Sequence, residues 1–230
     1  MTLGRFRRIV WPLAIAETLV WACLFYSFAA LLPAWEQDLG WTKTELAGAF
    51  TAALAVSAGL APGVGRLLDR GDGVRVFTGS ALLGAAGLAL LAGVTLRWHF
   101  YAAWLLIGAA MTGALYEACF AILTKTMGER RKQAITVVTL VAGFAATVSF
   151  PSNYFLVGWA GWRGAALVQA VVVAGVAAPL IWLGARTAQP RADSAERPAR
   201  LQRTEARAIV RNPVFWLLAL SFAMIALDHG

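Results

Sequence analysis

The sequence predicts an all-α membrane protein with six transmembrane helices and the start of a seventh, and three observations carry this. Apolar residues make up 60% of the 230 residues and charged ones only 14%, where a soluble domain carries about a quarter charged. Six apolar stretches follow one another, each close to the ~20 residues that a helix needs to cross a ~30 Å hydrocarbon core. Of the twenty Lys and Arg residues, only Lys43, Arg97 and Arg163 fall on one side of those stretches. Lipid offers no partner to a backbone amide, so each span must be a helix or part of a closed barrel, and the strict alternation of barrel strands is missing.

The first span, 9–32, follows Arg5, Arg7 and Arg8. A basic start before an apolar run resembles a secretory signal, but this run is about twice a typical h-region and contains Glu17, so it reads as an uncleaved span. The second, 46–64, carries the small-residue pair Gly59 and Gly63 and a bend-prone Pro62; the third, 74–96, is thinned by Gly79, Gly84 and Gly87. Gly108 and Gly113 thin the fourth, 100–124, and Pro151 can bend the fifth, 134–157. Such small residues let helices pack closely in lipid. The sixth span is 165–183, which closes a bundle over 1–185. Residues 186–212, with Pro190, Pro198 and seven Arg over 186–211, read as a basic cytoplasmic linker. Residues 213–230 read as a truncated seventh span of a second, C-terminal bundle absent from the sequence.

With the N-terminus cytoplasmic, the other seventeen basic residues all lie inside, as the positive-inside rule requires. That distribution accounts for the net charge of +8 without a nucleic-acid partner. Trp11, Trp35, Trp41, Trp98, Trp159 and Trp162 sit near span ends, where interfacial anchors belong. Cys23 and Cys119 fall within spans and read as buried free thiols, so no cofactor or metal is expected.

Two acids lie inside the membrane. Glu17 is nine residues beyond Arg8 and Glu117 eight before Lys125, which sets them about 13 Å and 12 Å from the same surface. An ionised acid at the bilayer centre costs at least ~2.5 to 3.5 kcal/mol, so such groups pair or face water. No Lys or Arg lies mid-span to pair with them. Glu17 and Glu117 are therefore candidate proton or substrate sites. Asp228, about 22 Å into the seventh span, is a third. Tyr26 and Tyr116, with Trp21, Phe25 and Phe120 beside them, are candidate cavity residues, and Asn153 in the outer half of the fifth span has similar standing. No span holds a Ser–His or Asp–Asp set, so Ser149 and Ser152 lack the base that proteolysis in the bilayer needs, and the chain is not expected to be an enzyme.

Between the second and third spans the chain reads Gly65-Arg66-Leu67-Leu68-Asp69-Arg70-Gly71-Asp72-Gly73-Val74-Arg75. This resembles the cytoplasmic signature of the major facilitator superfamily, with Gly65, Asp69 and Arg70 in register and Gly73 and Arg75 one residue late. The resemblance implies that Gly65 packs this helix against the other bundle and that Asp69 and the basic residues form a gate network. The stretch 115–121, with Gly128-Glu129-Arg130-Arg131, Gly143-Phe144-Ala145 and Gly161-Trp162-Arg163-Gly164, resembles bacterial facilitators near the monocarboxylate and oxalate/formate carrier branch. Those relatives have Pro where Ala118 stands, so a straighter helix is expected around Glu117.

The resemblance implies a six-helix N-terminal bundle of 3+3 inverted repeats in a bacterial cytoplasmic (inner) membrane, with the first and fourth helices lining a central cavity and both acids facing substrate. The expected function is secondary transport of a small solute, such as a small organic anion, by alternating access as a proton symporter. The expected partners are that solute, H+, the bilayer and the C-terminal bundle. An inert or partner-dependent half-transporter is the alternative, and an intramembrane enzyme a weaker one.

Overall fold

The computed structural model describes residues 2–188. The linker beyond Ala188, the seventh apolar stretch and Asp228 lie outside the described residues. Every regular element among the described residues is helical. Helix α1, Leu3–Leu39, begins where Thr2 Oγ1 accepts from the Arg5 amide and ends at Gly40, whose left-handed backbone (φ 65°) closes the last turn onto the Glu36 carbonyl. Helix α2, Lys43–Asp69, starts with a reciprocal cap: the Glu45 amide donates to Thr42 Oγ1 and the Thr42 amide donates to Glu45 Oε2. Helix α3 spans Gly73–Ala92 and α4 Arg97–Ala114. Then follow α5, Tyr116–Thr126, and α6, Arg131–Ala142.

The remaining helical stretch reverses within itself. Beyond the turn at Gly143 and Phe144 the chain is hydrogen-bonded as helix from Ala145 to Ala188, which as one straight rod would be about 65 Å long. Gln169 Nε2 nevertheless donates to Asn153 Oδ1 at 2.6 Å, although sixteen residues of straight helix would part them by about 24 Å. The reversal is at Gly161, whose φ of 67° and ψ of 174° leave helical space. The run is therefore divided there into α7 (145–160) and α8 (162–188).

In the bundle, α4 packs between α2 and α3, and α1 lies against α6 and α8. Four glycines make the close contacts. A Cβ on Gly84 would sit 2.6 Å from Leu24 Cδ1, and one on Gly87 2.6 Å from Ile107 Cγ1. Gly108 rests on the Ala53 backbone and Gly113 on Ser80. By contrast, Gly59, Gly65 and Gly79 face open space among the described residues, so the Gly59/Gly63 pair mediates no close packing here. Helices α2 and α7 run through Pro62 and Pro151 without a break.

Three cations gather at one end of the bundle. Arg163 reaches Asp38 Oδ2 at 2.7 Å and the Val94 carbonyl at 3.0 Å, while Arg97 pairs with Glu45 at 2.6 Å and Lys43 lies 4.0 Å from Glu36. The Trp162 indole also donates to Asp38 Oδ2, at 2.7 Å. These bonds from Trp162 and Arg163 hold the Asp38 carboxyl below its ordinary value of 3.8. At the opposite end Lys125 Nζ caps α2, donating to the Leu68 carbonyl at 2.8 Å and lying 3.3 Å from Asp69 Oδ1.

Candidate functional site

Two spans carry an acid beside an interruption of the helix. In α1 a π-helical turn occupies Trp21–Tyr26, one turn beyond Glu17. Between α4 and α5, Leu115 is extended (φ −94°, ψ −166°), and Glu117 falls in the first turn of the new helix. The straighter helix expected from Ala118 is thus not what forms. The two halves of this span are anchored to different neighbours, Gly108 and Gly113 to α2 and α3 on one side and Lys125 to the end of α2 on the other. Leu115 takes up the difference. A first-turn position favours a negative side chain, because the unpaired amides there carry partial positive charge.

The structure brings Glu17 and Glu117 together, but not in equal settings. Glu17 is fully buried and neither carboxyl oxygen has a hydrogen-bond partner. The Cys119 thiol and the Trp21 indole are its polar neighbours, yet neither closes a bond to it, and Glu117 is the charged group that bears on it. Glu117 itself is exposed. Of the two acids, Glu117 is exposed and Glu17 is enclosed. Beside Glu17, Thr18 Oγ1 donates to the Val141 carbonyl of α6 at 3.2 Å.

Around Glu117 the aromatic rings form one continuous wall. The Trp21 and Tyr116 centroids are 4.9 Å apart, Tyr116 stacks on Phe120 at 4.9 Å with planes 10° apart, and Trp21 meets Tyr26 at 6.1 Å. Phe25 joins the wall to Phe50 of α2. All six rings are half-buried. Tyr26 and Tyr116 are thus both in ring contact with Trp21.

The Asn153 side chain is 2% exposed and both ends are used: Nδ2 donates to the Ser149 carbonyl at 2.9 Å, and Oδ1 accepts from Gln169. Ser149 Oγ in turn donates to the Ala22 carbonyl at 2.7 Å, inside the π-helical turn of α1. A π-helical turn leaves a backbone carbonyl short of its usual donor, and Ser149 supplies one. Asn153 therefore holds α7 and α8 to the interruption in α1. Sequence reading missed Gln169 and Thr18 in this framework, although each is a polar residue in an apolar span and carried that signal. It also counted Lys125 only as a loop cation, whereas Lys125 is the partner of Asp69. Ser152 donates to the Val148 carbonyl at 2.6 Å, so neither serine is poised as a nucleophile.

At the gate motif, Gly73 is buried against Ile122, Arg70 is exposed at the end of α2, and Arg75 lies 3.8 Å from Asp72. Cys23 and Cys119 are buried free thiols, as expected. Among the described residues no cluster of His, Cys, Asp or Glu has the makings of a metal site.

A multi-pass bundle with interrupted helices and acids at the breaks defines a polytopic membrane protein of the transporter type. The family comparison agrees: the Major Facilitator Superfamily profile matches residues 11–228, and the chain belongs to that family. No curated protein and no solved structure matches it.

Proposed function

We propose that this chain acts in secondary transport of a small solute by alternating access, coupled to protons, in a bacterial cytoplasmic membrane with its N-terminus inside. The observation that carries the reading is Glu17, fully buried within the membrane with both oxygens unpartnered, beside the exposed Glu117. Acids held inside membrane spans mark ion pathways and proton relays. The helix interruptions support this, because hydrogen-bond ladders broken near mid-span are where helices bend between two arrangements. The Asp69–Lys125 pair lies at the closing end and supports a gate there. Leu115–Ala121 supports kinship with the monocarboxylate and oxalate/formate carrier branch. The bias of basic residues supports the sidedness.

The reading is tested in proteoliposomes containing trapped pyranine, to which lactate or tetraethylammonium is added in turn. Wild-type protein should move protons with one of the two solutes. Glu17→Gln should abolish the dye response, and Asp69→Asn should slow it without abolishing it. A Glu17→Gln variant with the wild-type proton response removes Glu17 as the proton site.

A further inference from the structure

The wall around Glu117 carries a sign. Resting on the transporter reading above, we propose that this face selects an organic cation, with an ammonium group against Glu117 and its apolar body across the Trp21 and Tyr116 rings. The kinship drawn from the motif leads instead to a small organic anion, and the residues on the wall oppose that. Every formal charge that the described spans place there is negative: Glu117, next to Tyr116 in the chain, is exposed, and the buried Glu17 is unpartnered. Residues 9–42, 44–64 and 100–124, which supply the wall, contain no Lys, Arg or His. Among the described residues of the wall an anion would meet two carboxyl groups and no counter-charge. A neutral solute would leave Glu117 without a partner.

The rings point the same way. Trp21, Tyr116 and Phe120 present one unbroken aromatic surface, with centroids 4.9 Å apart at each step and each ring only half-buried. Ring faces carry partial negative charge and attract a cation held within about 6 Å of the centroid, Trp most strongly. Tetraalkylammonium ions and amines with apolar substituents match such a surface, because aliphatic groups pack on the rings while the charge meets the carboxylate. A small carboxylate has neither property.

The test is equilibrium dialysis of the chain in nanodiscs with radiolabelled tetraethylammonium and, separately, radiolabelled lactate. Saturable binding of tetraethylammonium and none of lactate is expected. Glu117→Gln should weaken it roughly 10-fold or more, which is about 1.4 kcal/mol. Tyr116→Ala should weaken it comparably, while Tyr116→Phe, which keeps the ring and loses only the hydroxyl, should bind as wild type. Circular dichroism and size-exclusion profiles matching wild type establish that each variant is folded. Absence of saturable tetraethylammonium binding, unchanged affinity in Glu117→Gln, equal losses in Tyr116→Phe and Tyr116→Ala, or saturable lactate binding would each overturn the inference. Proton-driven lactate uptake would leave the transporter reading standing and remove the cation. Cation binding with no gradient-driven movement of either solute would do the reverse.

Discussion

Asp38 shows how a single carboxylate ties distant parts of the chain together. It receives bonds from Trp162 and Arg163, and Arg163 continues to the Val94 carbonyl, so one acid joins the end of α1, the α3–α4 turn and the α7–α8 reversal. Because these donors hold its folded value below 3.8, its contribution is fully present above that value and is lost as pH falls through the lower, folded one. Thermal unfolding of the detergent-solubilised protein should therefore stay flat from neutral pH down to about pH 4 as far as this group is concerned, and decline below it. In Asp38→Asn that acid-limb decline should be shallower; an identical acid limb in both proteins would show that the latch contributes nothing. The Asp69–Lys125 contact belongs to another class. Both side chains are largely exposed, and such pairs contribute about 0 to 1 kcal/mol, so Lys125 matters more as the cap on the Leu68 carbonyl than as the partner of an acid.

At the scale of the helix, the interruptions are the informative features, and they were the least legible in the sequence. Apolar length and basic flanks locate six spans, because both follow directly from hydrocarbon thickness and charge placement. Where a span breaks depends instead on neighbours hundreds of atoms away along the chain. The prolines at 62 and 151 drew attention, yet α2 and α7 continue through them, and the breaks fall at Leu115, at Gly143–Phe144 and in the π-helical turn Trp21–Tyr26. The depth of Glu17 and Glu117 could be counted from Arg8 and Lys125, but not that one would be enclosed and the other open. That difference is set by rotation about the helix axis, which a single sequence of uniformly apolar residues leaves undetermined. The break in α1 also has a specific dependence. Ser149→Ala removes the donor to the Ala22 carbonyl and should cost about 0.6 to 1.7 kcal/mol in the membrane, read as earlier unfolding in a denaturing-detergent titration. Wild-type stability would mean that the carbonyl finds another donor.

For the molecule as a whole, the arrangement of charge at the two ends is the testable property. Lys43, Arg97 and Arg163 pair with acids at one end, while Asp69 and Lys125 meet at the other. Cysteines introduced at Arg70 and Arg131 should both react with an impermeant maleimide from the cytoplasmic side only, and one at Lys43 from the outer side only. Labelling of Arg70 and Arg131 positions from opposite sides would overturn the six-span topology. That topology turns on Gly161. With φ at 67° and ψ at 174° it sits in a region that glycine enters freely and that would cost a side-chain-bearing residue about 1 to 3 kcal/mol. Two greasy rods of the nascent polypeptide are thus obliged to double back at one residue whose only substituent is hydrogen, and a methyl group there would make the growing chain harder to fold into a pair of antiparallel crossings during insertion.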